Sequence, residues 1–241
     1  MTRSSLIRSA LAACLLLAPV TQLSAHSEDA ASKPILVELF SSQSCGNCPD
    51  ANETLIDIAS DPNVFPIVWS VSYWEYLGVK EPYATPEVQA RQRRYADRFD
   101  LRGPYTPQVV IDGSRQNSGN DESAIREKMA LAEHEKTPKM ALSFSDDSVM
   151  ISSDELAGPS EVWLIGYIPG VTQLTPEAGR NSGKKLRHLN LATSLKKIGN
   201  WDGIEPERYD VACQDAACLV VVQESATGEI LDFSLVPAVS G

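Results

Sequence analysis

Apolar and polar positions alternate along this chain in two successive textures. Ile35-Leu36-Val37-Glu38-Leu39-Phe40 is an almost unbroken apolar run, the pattern of a strand buried on both faces. Asp50 to Ser60 has helical periodicity and is stopped by Asp61-Pro62-Asn63. Ile67 to Val71 is the next strand. Pro86 to Phe99 then has helical spacing, with Val88, Tyr95 and Phe99 near one face and charges on the other. Gln108 to Ile111 is a short β-branched run closed by the turn dipeptide Asp112-Gly113. A further strand is placed near Arg115 to Asn117. Ser123 to His134 reads as an amphipathic helix with Ile125, Met129 and Ala132 as its stripe. The order β-α-β-α-β-β-α predicts an α/β fold.

After Thr137-Pro138 the period shortens to two. Met140, Leu142 and Phe144 alternate with polar residues, and Val149 and Ile151 follow across the Asp146-Asp147-Ser148 turn. Val162 to Ile168, Leu186 to Thr193, Cys218 to Gln223 and Ile230 to Val236 are further strands, the last two joined as a hairpin at Thr227-Gly228. This predicts an α/β domain over 33–137 and a mostly antiparallel β domain over 138–241.

Residues 1–25 have the features of an export signal. Arg3 and Arg8 precede the apolar stretch Ala10 to Val20, and Leu23-Ser24-Ala25 supplies a cleavage site. Leu11-Ala12-Ala13-Cys14 resembles a lipoprotein box, but the main apolar run follows that cysteine rather than preceding it. Cleavage leaves 216 of 241 residues and takes the formal charge from −11 to −13, since the leader holds two arginines and no acid. Such an acidic chain is a poor partner for nucleic acid or an anionic membrane. The apolar stretch Ala10 to Val20 is too short to span a bilayer comfortably and no later segment has the length, so stable membrane insertion is not expected. Four cysteines remain, an even number in a chain expected to be periplasmic or secreted, where disulfides persist.

Cys45 and Cys48 stand between a strand and a helix in Ser44-Cys45-Gly46-Asn47-Cys48-Pro49. Free N–H groups and the positive dipole end at a helix start favour a thiolate. Cys45 is therefore expected to be the accessible attacking sulfur and Cys48 the less exposed resolving one. A structural bridge and half of a zinc site are the alternatives for the same pair. Thr106-Pro107 stands just before a strand, where a cis bond can form. The long stretch Ser72 to Thr85 carries Tyr73, Trp74, Tyr76 and Tyr83, either as a substrate groove beside the sulfurs or as packing between helix and sheet. Cys213 and Cys218 lack a strand–helix elbow and read as a structural disulfide. A second redox pair, or zinc held jointly by all four cysteines, are the other readings. His134 and His188 need no functional role. Gly179 to Lys185 is a basic, glycine-bearing connector without a phosphate-loop setting.

Val37-Glu38-Leu39-Phe40, Cys45-Gly46-Asn47-Cys48 and Thr106-Pro107 resemble the thioredoxin superfamily over about Lys33 to Thr137. The run Val37 to Cys45 with Cys48-Pro49, Tyr105-Thr106-Pro107-Gln108 and Gly199-Asn200-Trp201-Asp202-Gly203 is similar more narrowly to an exported bacterial family, domain of unknown function 1223. That resemblance implies a thioredoxin-like core with a β-rich C-terminal half. It also implies that Thr106 and Pro107 face the cysteine pair and bind substrate backbone; the stretch with Trp74 and Tyr76 departs from the smallest relatives by its length, and these two are the candidates for the adjoining groove. Glu38 resembles the acid that thioredoxin-like enzymes bury beneath the pair, which implies that it accepts the proton of Cys48. The expected activity is thiol–disulfide exchange with a thiol- or disulfide-bearing protein or small thiol, with no cofactor. A binding protein with structural disulfides, or a copper- or zinc-handling protein using the same thiolates, are the alternatives.

Overall fold

The computed structural model describes residues 34–134 and 140–238. The leader 1–25 with Cys14, the polar segment from His26, the expected 137/138 boundary and the side chain of His134 lie outside the described residues.

The element order opens as the periodicity predicts. Strand β1 (Ile35–Ser41) leads into α1 (Cys48–Ile58) and β2 (Val64–Ser70). A 3-10 turn, Glu75–Leu77, then precedes α2 (Pro86–Arg98), β3 (Gln108–Ile111), β4 (Arg115–Ser118) and α3 (Glu122–His134). The hairpin β5 (Met140–Ser145) and β6 (Ser148–Ser153) follows, then the long pair β7 (Ser160–Leu174) and β8 (Leu186–Trp201). The short β9 (Glu207–Asp210) and the hairpin β10 (Ala217–Glu224) and β11 (Ile230–Leu235) complete the chain. Pro49 and Pro86 each sit in a helical first turn, where a missing N–H costs little, and the Thr85 side chain caps α2 by accepting from Val88 N.

The strands form a mixed eight-stranded sheet in the order β11-β10-β7-β8-β2-β1-β3-β4 and an antiparallel three-stranded sheet, β5-β6-β9. β1 pairs in parallel with β2 and antiparallel with β3, and β8 joins β2 at Val68 and Leu191. The large sheet therefore runs continuously through strands from both halves of the chain. β7 and β8 extend beyond the expected Val162 to Ile168 and Leu186 to Thr193. β7 continues past Pro169 and Gly170 through a register shift between Ile168 and Val171, which interrupts the alternation that marks a strand in sequence.

Period-two alternation divides the core. Ile35, Val37 and Leu39 of β1 pack with Ala51, Leu55 and Ile58 of α1 and with Ile125, Met129 and Ala132 of α3. Leu36 and Phe40 face the other way, with Trp69, Val88 and Tyr95. A third cluster joins the small sheet to the large one through Val149, Ile151, Val162, Val220 and Trp201. Fully burying each such side chain is worth about 1.5–3 kcal/mol, so the faces of β1 are strongly specified.

Candidate active site at the strand–helix elbow

β1 delivers the chain to the turn Ser42 to Asn47, whose backbone is held by Cys45 N donating to Ser42 O and Cys48 N to Cys45 O. Cys45 and Cys48 are disulfide-bonded, with Cα atoms 5.4 Å apart. Cys48 is the first helical residue, and Asn47 at the N-cap makes no side-chain bond. The positive end of α1 thus lies beside the pair without a capping side chain.

The expectation that Cys45 is accessible is corrected: it is 2 % exposed and Cys48 1 %. The cover is the connection between β7 and β8. Asn181, fully buried, donates from Nδ2 to Gln43 O at 3.0 Å and Cys45 O at 2.8 Å, while Lys184 donates to its Oδ1 at 3.2 Å. Arg180 lies across Gly46, where an added Cβ would stand 3.3 Å from its Cδ, and Gly179 abuts Ser44. The connector read from sequence as a plain loop is therefore a wall of the site. Its signal was its composition: three cations and two left-handed glycines in seven residues.

Arg180 joins the cysteine turn to the aromatic segment, its guanidinium lying 5.5 Å from the Trp74 ring. Trp74 stacks on Tyr76, which is largely exposed, and donates from Nε1 to Thr106 Oγ1 at 2.8 Å. Desolvation pushes the phenol of neighbouring Tyr73 up to about 12. The Thr106-Pro107 bond is cis. Gln92 of α2 fixes this segment by donating to Tyr105 O at 2.8 Å. Gly119 N donates to Pro107 O, and a Cβ on Gly119 would meet both Ala51 of α1 and Pro107 at 3.0 Å or less. The structure thus connects Cys45, Cys48, Trp74, Tyr76, Thr106 and Pro107 through one contiguous set of contacts.

Glu38 is not part of that set. It belongs to the alternate face of β1, with Leu36 and Phe40, and points toward α2 rather than α1. Arg91 donates to its two oxygens from Nε at 2.6 Å and Nη2 at 3.0 Å, Tyr95 donates at 2.6 Å and Trp69 at 2.9 Å. Arg91 also donates to Gln223 of β10 at 2.9 Å. Burial pushes the Arg91 guanidinium down, and the charge of Glu38 beside it outweighs this, leaving it above its ordinary value.

Sequence reasoning passed over a second buried acid, Glu81. It accepts from Ser42 Oγ at 2.7 Å, Gln43 N at 2.6 Å and Gln43 Nε2 at 3.1 Å, so it holds the two residues that lead into the cysteine turn. Burial raises its carboxyl above the usual range. No periodicity distinguishes it within Ser72 to Thr85.

Cys213 and Cys218 form the other disulfide, with Cα atoms 5.9 Å apart, at the edge of β10. The loop it closes is tied to β8 by Thr193 and Ser194 donating to Asp215 at 2.6 and 2.7 Å. Among the described residues, no group of three or more His, Cys, Asp or Glu side chains is placed to share a metal ion, and no helix is long and apolar enough to cross a membrane.

No curated protein matches the chain. Among solved structures it is similar to a crystal structure of a protein from Agrobacterium tumefaciens, with 25% identity and a TM-score of 0.69 over 87% of this chain and 96% of that one. It also resembles the fold of HBP35 of Porphyromonas gingivalis, with 14% identity and a TM-score of 0.62 over 85% of this chain and 75% of the other. The family described as Protein of unknown function (DUF1223) matches residues 36–223, most of the chain, and the protein belongs to that family.

Proposed function

We propose that this protein is an exported thiol–disulfide oxidoreductase, periplasmic or secreted, in which a thioredoxin-like arrangement is extended by the C-terminal β strands. The observation that carries this reading is the Cys45–Cys48 disulfide at the strand–helix elbow, linked through Arg180 and Trp74 to the cis Thr106-Pro107 segment. In the reduced protein the Cys45 thiolate attacks one sulfur of a partner disulfide, and the other sulfur leaves as a thiolate with the bonding electron pair. Cys48, once deprotonated, attacks Cys45 Sγ and releases the second partner sulfur. The protein pair ends oxidised and the partner reduced; the reverse sequence oxidises a partner dithiol. Thr106 and Pro107 present the partner beside the sulfurs, with Trp74 and Tyr76 as the adjoining surface. Glu38, bound to Arg91, anchors α2 to β1 in this scheme, and the Cys48 proton passes to solvent. Cys213–Cys218 serves as a structural bridge that closes the approach to β10.

Replacing Cys48 by Ser removes the resolving sulfur, so the variant is expected to accumulate a mixed disulfide through Cys45 when challenged with a disulfide substrate. Non-reducing mass spectrometry reads it directly. Absence of any adduct in a folded Cys48→Ser protein contradicts the exchange mechanism.

A binding protein with two structural bridges is the second reading, favoured by the burial of both sulfurs. It predicts that Cys45–Cys48 resists reduction as firmly as Cys213–Cys218.

A further inference from the structure

Residues 175–185, between β7 and β8, hold three cations, Arg180, Lys184 and Lys185, against the single acid Glu177, in a chain whose formal charge is −11. All three cations are exposed, and Asn181 pins the segment directly over the cysteine turn. Carboxylates around the same turn are already engaged. Glu53 accepts from Arg187 at 2.6 Å, Glu75 accepts from Glu81 N and lies 4.0 Å from Lys80, and Glu81 is bound by Ser42 and Gln43. Asp50, exposed in the first turn of α1, is the remaining acid of the turn. The connection that touches the cysteine turn thus carries a formal charge of +2 on an acidic protein, with Arg180 lying across Gly46 beside Cys45. Access to the sulfurs is restricted: Gly46 and Asn47 are exposed while the cysteines on either side of them are buried.

We infer that this connection determines specificity: Arg180, supported by Lys185, selects low-molecular-weight disulfides and thiols that carry carboxylates. This rests on the exchange reading above and names its substrate class. Electrostatic steering raises the encounter rate of an oppositely charged reactant, and a guanidinium held over an indole is placed to pair with a carboxylate as the sulfurs meet. Sulfurs this deeply buried are reached more readily by a small reagent than by a folded protein loop. The chemistry is the balanced exchange already described: the Cys45–Cys48 dithiol becomes a disulfide, and one external disulfide becomes two thiols.

The test compares rate constants of the reduced protein with three symmetric disulfides: anionic dithionitrobenzoate, neutral dithiodipyridine and cationic cystamine. Each rate is divided by that of a free model thiol with the same reagent. The normalised anionic rate is expected to exceed the cationic one by about tenfold or more at low salt, and the preference to shrink at high salt. In the double variant Arg180→Gln/Lys185→Gln the ratio of anionic to cationic normalised rates falls by roughly three- to tenfold, whatever the change in the neutral rate. Arg180→Lys retains it, as does Arg208→Gln on β9 in the three-stranded sheet. Equal normalised rates for anion and cation, or a preference untouched in the double variant, overturn the inference while leaving exchange standing. Failure to react with all three reagents overturns the exchange reading itself and the selection with it.

Discussion

At the scale of single residues, the buried Glu38–Arg91 pair and His188 give the sharpest tests. Glu38 is fully buried and Arg91 1 % exposed, so each depends on the other for the charge it keeps out of water. Removing one partner of such a pair typically costs about 3–5 kcal/mol, because the other is left uncompensated. Glu38→Leu and Arg91→Leu are each expected to lower unfolding stability in urea by about that amount, and the double variant by clearly less than their sum. His188 is buried on β8, and desolvation lowers its imidazole to about 4 from an ordinary 6.5. As pH falls the unfolded chain takes that proton first, so the stability present above about 6.5 is lost progressively toward 4, by roughly 3 kcal/mol in the limit. Urea unfolding at pH 7 and pH 4.5 should show this loss, and His188→Leu should reduce it. The partners of Glu38 are not legible in sequence, although the face it occupies is. Leu36, Glu38 and Phe40 share one side of a strand, Val37 and Leu39 the other, and α1 packs on the latter. An almost uninterrupted apolar run conceals that division, because both faces are buried.

At the scale of elements, the strand–helix elbow and the proline segment were legible because their signals are local. Apolar continuity marks β1, helical period marks α1, and Thr106-Pro107 precedes a β-branched run. The cover over the sulfurs was not, because Asn181 lies far from Cys45 in sequence and polar connectors carry no period. Gly199-Asn200-Trp201-Asp202-Gly203 was legible only as a resemblance, and its work is packing. Gly199 leaves space for the Tyr209 ring, Trp201 is buried and donates to Glu205 O, and Gly203, at φ +82, passes close to Ala157 O. β9, four residues of which only Tyr209 is buried, is too short and polar to announce itself. The fastening of the cover is two hydrogen bonds from one amide, each worth about 1 kcal/mol. Asn181→Ala is therefore expected to speed reduction of Cys45–Cys48 by a phosphine reagent by about tenfold, with the Cys213–Cys218 rate as an internal reference. An unchanged rate would show that the β7–β8 connection does not guard the pair.

At the scale of the whole molecule, one sheet links the cysteine elbow to the strands that carry the second disulfide. Arg91 spans the same distance through side chains, binding Glu38 of β1 and Gln223 of β10. The two disulfides occupy different settings within this frame. Cys45–Cys48 stands at an uncapped helix start under a basic strap, whereas Cys213–Cys218 closes a loop whose Asp215 is bound to β8. The first setting places a helix N-terminus and cations beside the pair, and the second has neither among the described residues. A glutathione redox titration, with thiols alkylated and each cysteine pair read separately by mass, compares them in one sample. The account predicts that Cys45–Cys48 is reduced and reoxidised reversibly within the glutathione range while Cys213–Cys218 stays oxidised throughout. A Cys45–Cys48 pair that remains unchanged in both directions would contradict it.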